Sequence, residues 1–181
     1  MLDIPAYNPA AWHWRLVGET RCWSSALGRW VSQAPAGAPV TSLNSLAELD
    51  EVLRRNGLPS PLVTAADVDA ERDRRIAGGF AFAGVRYQSR PDDRENIAGA
   101  STAALGAMMA GAQAGDYRWH GGDSDFAWIA EDNSTVPMDA QTMFVLGQAA
   151  MAHKQAMIFA ARTLKDMEPI PADYAGDQHW P

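Results

Sequence analysis

The fold is decided by two consecutive segments, RIAGGFAFAGVRYQS at residues 75–89 and RPDDRENIAGA at residues 90–100. Gly78 and Gly79 supply the left-handed backbone that ends a helix. The aromatic residues that follow favour two short strands, with Ala83-Gly84 as their turn. Pro91 disfavours helix at the residue before it. The candidate caps of the next helix are Ser89, Asp92 and Asp93. The stretch therefore predicts a helix, a tight hairpin and a second helix.

The N-terminal part predicts a small, tryptophan-rich antiparallel β unit over residues 7–31. Trp12, Trp14 and Leu16 alternate with polar residues, as in a half-buried strand. Residues 32–42 are rich in Ala, Pro and Gly and predict a connector. Ser45 then caps a short linker helix that ends at Gly57. We place a domain boundary near residue 60. The predicted parts are a β module with its linker helix (1–60), an α+β domain (61–168) and an extended proline-rich tail (169–181).

The C-terminal part predicts three helices and further short strands. A helix over residues 65–77 carries arginines and carboxylates whose ordinary interpretation is a solvated charged face. The next helix, about residues 93–113, is rich in Gly, Ala and Ser, which lets a neighbouring helix approach closely. Short strands are predicted at 117–120, 126–130 and 135–136. A long last helix follows over about 139–166, capped by Asp139. The predicted fold class is α+β, with short β hairpins packed on two or three helices.

Two apolar rows run along the last predicted helix at heptad spacing. One row consists of Met143, Ala150, Met157 and Leu164, and the other of Phe144, Met151 and Ile158. Such a broad stripe is either the core face of one domain or a seam between subunits. We predict that the second row is an interface. Trp180, in the proline-rich tail, is predicted to anchor on a neighbouring chain, because tryptophan buries a large area at interfaces.

Composition and charge argue against several classes of partner. A net charge of −7 over 181 residues leaves no basic excess to hold nucleic acid or an anionic membrane. The single cysteine, Cys22, excludes an internal disulfide. No segment has the apolar length that spans a bilayer. Residues 1–5 lack the basic and apolar regions of a signal peptide. We therefore expect neither membrane insertion nor secretion.

No catalytic, cofactor or metal site is predicted. The four histidines lie in different elements, and no two have the spacing of metal ligands. They are His13, His120, His153 and His179. The string Asp123-Ser124-Asp125 lacks the glycine and the glutamate of a calcium loop. Cys22 lies among tryptophans, where a lone cysteine acts as a small apolar filler. We predict an interaction protein that is not an enzyme.

The segment from about residue 68 to 166 resembles an uncharacterised domain of tailed bacteriophages, found in tail, tail-fibre and tail-fibre-assembly proteins. The matching positions are Arg75, Ile76, Phe82, Gly84, Tyr87, Ser89, Arg94, Asn96 and Ile97. Trp128, residues 136–138 and the helix from Asp139 match a strand pair and closing helix of that family. The family has no established catalytic motif, so the resemblance implies a setting and no reaction.

That resemblance implies a structural component of the distal tail of a virion. The component would lie in the tail tip or the baseplate, or it would be associated with a tail fibre. It also implies synthesis in the host cytoplasm, other tail proteins as partners, and a trimeric or hexameric homo-oligomer. Two alternatives remain open. One is a tail-fibre assembly chaperone, and the other is a host-recognition module whose tryptophans stack on a surface glycan. The candidate glycan or partner contacts are Trp12, Trp23, Trp30 and Trp119.

Overall fold

The computed structural model describes residues 7–181 and divides the chain into two compact units. One unit runs to Thr64 and includes Glu168–Tyr174, and the other comprises Ala65–Met167 and Ala175–Pro181. Residues 1–6, on which the signal-peptide prediction rests, lie outside the described part. Within residues 7–181, no helix is long and apolar enough to cross a membrane. The predicted α+β class, with its long C-terminal helix, is confirmed.

The first unit is a four-stranded sheet with one helix. Its strands are β1 (His13–Leu16), β2 (Cys22–Ser24), β3 (Arg29–Val31) and β4 (Val40–Leu43), in the order β3-β2-β1-β4. The first three strands pair in antiparallel fashion as predicted, whereas β4 lies parallel to β1. The predicted connector of residues 32–42 therefore runs into a strand. A parallel partner is joined by a long crossover, so local sequence does not reveal it.

Helix α1 (Leu46–Arg55) closes the core of the first unit. Ser45 caps it as predicted, because its hydroxyl accepts a hydrogen bond from the Glu48 amide at 3.2 Å. The core side chains are at most 5% exposed, and they are Trp14, Trp23, Leu49 and Leu53. The Trp14 indole donates to the Ser25 hydroxyl at 2.8 Å, so its polar atom is satisfied where the ring is buried.

The second unit begins with the predicted helix and hairpin. Helix α2 (Ala65–Ala77) is followed by β5 (Phe80–Phe82) and β6 (Val85–Tyr87), which pair antiparallel. Ala83 and Gly84 have φ angles of 50° and 80°. Positive φ at both central residues is the type I′ turn that fits a two-residue hairpin. Gly79 has φ +89°, and a Cβ there would lie 2.6 Å from the carbonyl oxygen of Tyr87. Only glycine therefore fits this link between helix and strand.

Helix α3 (Pro91–Met109) begins two residues before the predicted start. Pro91 occupies its first turn, where a missing N–H does no harm. The Asp93 carboxylate accepts from the Arg90 amide at 2.9 Å, so Asp93 caps the helix from inside its first turn. The helix ends before the predicted residue 113 because Gly111 adopts φ +100°. The amide of Ala112 then donates back to the carbonyl of Ala107 at 2.9 Å, closing the helix end.

Strands β7 (Ala127–Ile129) and β8 (Thr135–Pro137) form a second hairpin, and α4 (Ala140–Lys165) follows. The Asp139 carboxylate accepts from the Thr142 amide at 2.8 Å, which confirms the predicted cap. The strand predicted at 117–120 is wrong, since these residues form turns. The Trp119 indole there donates to the Met138 carbonyl at 3.0 Å. This side-chain hydrogen bond therefore holds the segment, which forms no ladder of backbone hydrogen bonds with a neighbouring strand among the described residues.

The charged face of α2 is partly buried, which corrects the solvated face predicted from sequence. Glu71 is 8% exposed, and its carboxylate accepts hydrogen bonds from Arg74 and Arg75 at 2.6 Å. The bond from Arg74, with that from Arg75, lowers the pKa of Glu71 to about 2, although burial raises it. Arg75 also donates to Asp177 at 2.8 Å. This cluster therefore links the C-terminal residues to α2.

Candidate functional site

A groove runs along α3 and α4 in the second unit. These helices run antiparallel, since Gln141 donates to the Ala112 carbonyl at 3.0 Å, and Ser101 donates to the Phe144 carbonyl at 3.4 Å farther along. One cavity of about 450 Å³ lies between them, and another of about 540 Å³, lined by α2 as well as by α3 and α4, continues it to Ile158. Arg94 and Lys154 line both cavities. We call the two cavities together the α3–α4 groove.

Small residues bring the two helices close at the middle of the groove. A Cβ at Gly147 would lie 2.3 Å from the Ser101 hydroxyl, so only a hydrogen fits there without a shift of Ser101. Ala104 on α3 is fully buried. The predicted role of small residues in close helix approach is thus confirmed at Ser101 and Ala104.

The two heptad rows of α4 have different environments. Met143, Ala150, Met157 and Leu164 are at most 7% exposed and belong to the interior. By contrast, Met151 is 65% exposed and Ile158 is 42% exposed, while Phe144 is half-buried. The first row is therefore core, and the second row lines the α3–α4 groove. The interface role of the second row stays a prediction. The surface that this interface would use is the α3–α4 groove.

The groove also collects the unpaired cations of the second unit. Residues 65–181 contain ten arginines and lysines. Eight of them form an ion pair with a carboxylate. The two that have no such partner among the described residues are Arg94 and Lys154. Arg94 donates to the backbone carbonyl of Ser89, so its side chain is anchored by a neutral group. The site is therefore apolar in its first cavity, with two cations where the two cavities meet.

The tryptophans predicted as glycan or partner contacts divide between the two units. Trp23 is 5% exposed and packs edge-on against Trp30 at 5.7 Å, so the structure places it in the core of the first unit. Trp12 and Trp30 are half-buried, and the Trp12 indole donates to the Thr41 hydroxyl at 2.8 Å. Trp119 is half-buried against the core of the second unit. None of these rings stands free as a stacking platform.

Trp180 is buried within its own chain. It is 7% exposed, and the Arg75 guanidinium lies 5.2 Å from its ring centre. A short 3₁₀ turn, Asp177–His179, precedes it. These tail residues were predicted to be extended, and they are not. A cation over an indole face is a favourable contact, which explains why the ring lies inward. Trp180 therefore packs against its own chain, and its predicted contact with a neighbouring chain stays a prediction.

A separate polar cavity of about 740 Å³ is lined by Trp128, a residue that was not among the predicted contacts. Asn96 and Asn133 line it, and their side-chain amides make no hydrogen bond within residues 7–181. Arg90 and Asp93 also line it but are paired with each other at 2.8 Å. Trp128 and Asn96 both belong to the positions that carry the phage resemblance. Their place in that resemblance was the signal in the sequence that could have identified them as functional residues.

The side chains that could ligate a metal ion are dispersed in the described part of the chain. Within residues 7–181, no three His, Cys, Asp or Glu side chains form a group that could hold a metal ion. Cys22 is buried, and Arg15 donates to its sulfur at 3.4 Å. His153 stacks on Phe80 with ring centres 6.1 Å apart. Burial lowers the pKa of His153, which keeps it neutral near pH 7. These two groups serve packing.

Comparison with known protein families finds one family that the chain matches. The family described as a "Domain of unknown function (DUF4376)" matches residues 62–177, more than half of the chain. No curated protein and no solved structure matches the chain. The matched range contains α2, both hairpins of the second unit, α3 and α4, and therefore both the α3–α4 groove and the Trp128 cavity. The family description names no function and no phage. The chain belongs to the DUF4376 family.

Proposed function

We propose that this protein is a structural component of a tailed-phage virion, located at the distal tail and acting through protein–protein interfaces. The observation that carries the proposal is the apolar row Phe144, Met151 and Ile158 along the α3–α4 groove, of which Met151 and Ile158 are exposed. A helix face this apolar is costly to leave in water, and a partner removes that cost. The phage setting rests on the sequence resemblance of residues 68–166.

The test of the setting is quantitative mass spectrometry of purified particles of the phage that encodes the chain. Copies in a small integer ratio to the tail-tube protein support a virion component. Absence from particles, with abundance in the infected-cell lysate, overturns it and favours the assembly chaperone. The predicted trimer or hexamer is checked by the mass of the purified protein in solution.

A charge placed in the groove is expected to remove the protein from particles. Met151→Asp puts a carboxylate on a side chain that is 65% exposed, so the free energy of unfolding should change by less than about 1 kcal/mol. A partner that covers Met151 would have to desolvate that charge, at several kcal/mol. We expect at least a tenfold drop in particle-bound copies. Ala152→Asp, exposed on the same helix and outside the groove, is the matched control and should leave incorporation unchanged.

The Trp128 cavity favours host-glycan binding as a second candidate function. A cavity of this size suits a small ligand. An indole with two unpaired amides offers an apolar face and both donors and acceptors, which is the chemistry a sugar ring requires. We propose that, if glycan is bound, Trp128, Asn96 and Asn133 bind it in place of the four tryptophans selected from sequence.

Glycan binding should therefore depend on Trp128. On a glycan array, Trp128→Ala is expected to lose at least about 90% of any signal given by the wild-type protein, since it removes the stacking face. Tyr117→Ala removes an exposed aromatic ring outside the cavity and should retain the signal. Equal binding by Trp128→Ala and wild-type protein would exclude the cavity as the glycan site.

A further inference from the structure

We infer that the α3–α4 groove binds an acidic amphipathic helix from a different protein. The inference deepens the proposed function by naming the chemistry of the partner. It rests on the shape of the groove, on its unpaired cations and on the scarcity of carboxylates in its lining.

Shape favours a helix. Phe144, Met151 and Ile158 are spaced seven residues apart along one straight helix, which places the ends of the row about 21 Å from each other. Two antiparallel helices with an apolar groove between them accept a third helix, whose apolar side chains repeat every three or four residues. A partner of about four turns would cover the row.

Charge selects an acidic partner. Arg94 and Lys154 line both cavities, and neither has an ion-pair partner among the described residues, whereas every other cation of residues 65–181 has one. Covering two unpaired cations with an apolar surface would desolvate them without compensation. Carboxylates on the turn of the partner helix that faces the junction of the two cavities would pair with them and would fix its position along the groove.

The same lining argues against a second copy of this chain as the occupant. The first cavity has no carboxylate in its lining, and the one carboxylate in the second, Asp73, is paired with Arg72 at 2.8 Å. A two-fold interface joins the same patch on both subunits. Groove-to-groove docking would therefore bring Arg94 and Lys154 of both copies together without a free carboxylate between them.

The test uses two synthetic amphipathic helices of about five turns that differ only on the turn that would face the junction of the two cavities. The acidic probe carries glutamates there, and the basic probe carries lysines. Binding to the full-length protein is measured by fluorescence anisotropy at low ionic strength, where exposed charges are least screened. We expect the acidic probe to bind the wild-type protein at least about fivefold more tightly than the basic probe.

Charge reversal is expected to invert that preference. The double variant Arg94→Glu/Lys154→Glu should bind the basic probe more tightly than the acidic one. Arg118→Glu/Arg162→Glu changes the net charge by the same amount on exposed residues outside the groove and should keep the wild-type preference. Circular dichroism and thermal melting of each variant confirm that it is folded.

Three results would overturn the inference. They are equal binding of both probes, a preference that the groove reversal leaves unchanged, and a stable dimer that Met151→Asp dissociates and that no probe displaces. The last result would identify a second copy as the occupant. The probe experiment and the particle experiment can fail independently of each other. A chaperone that is absent from particles would still bind the acidic probe more tightly than the basic one.

Discussion

Replacing Gly79 by alanine is expected to lower the free energy of unfolding by about 3 kcal/mol. Gly79 has φ +89°, where an L side chain is strained by about 1 kcal/mol. The added methyl would also lie 2.6 Å from the Tyr87 carbonyl oxygen, which belongs to a paired strand and cannot move freely. Relieving that contact separates α2 from the hairpin, at a further cost of about 2 kcal/mol. Urea denaturation measures the change.

Gly84→Ala is the matched control. Gly84 has φ +80°, but a Cβ there would meet nothing within 4 Å. Its expected cost is the backbone strain alone, about 1 kcal/mol. If both variants lose the same free energy, the close approach at Gly79 does not contribute to stability, and the strain of positive φ accounts for both.

Replacing Glu71 by glutamine is also expected to lower the free energy of unfolding by about 3 kcal/mol at pH 7. The carboxylate is almost fully buried and holds two arginines, of which Arg75 is 14% exposed at its side chain. A glutamine keeps the shape but not the charge, so Arg75 loses its buried carboxylate and keeps only Asp177, whose side chain is 97% exposed. Asp73→Asn, on the exposed side of α2, should cost less than about 0.5 kcal/mol.

The pH dependence of stability distinguishes this effect from a loss of packing. The folded-state pKa of Glu71 is about 2, below its ordinary value of 4.5. A lowered pKa stabilises the fold above the unfolded-state value, and that contribution is lost as the pH falls from about 4.5 towards 2. The gap between wild-type protein and Glu71→Gln should therefore close over that range. A gap that stays constant down to pH 3 would show that charge is not its cause.

Local features of the second unit were predictable because they depend on neighbouring residues. The hairpin turn follows from Ala83-Gly84, since a two-residue turn needs positive φ and glycine provides it. The start of α4 follows from Asp139, which satisfies an amide that the helix itself leaves free. The start of α3 was misplaced by two residues because Pro91 and Asp93 are both acceptable in a first turn.

Long-range features were not predictable in this way. Strand β4 pairs with β1 across a crossover, and no local pattern marks that partner. Residues 117–120 have aromatic residues typical of a strand, but an indole bond to Met138 holds them in turns. Glu71 and Arg75 look like surface residues in the sequence. Arg75 is held inward by residues from the opposite end of the second unit, since it pairs with Asp177 and lies over the Trp180 ring.

The α+β class, the order of helices and hairpins, and the two apolar rows on α4 follow from the sequence, because backbone φ preferences, caps and periodicity act over a few residues. Which row is core follows only from tertiary packing. Both rows have the same spacing, but the row of Met143, Ala150, Met157 and Leu164 is at most 7% exposed, whereas Met151 and Ile158 of the other row are exposed. Among the described residues, Arg94 and Lys154 beside that row have no carboxylate partner, because the other cations of the second unit hold the carboxylates near them. Burial and charge balance depend on contacts between distant residues, and these exist only in the folded chain.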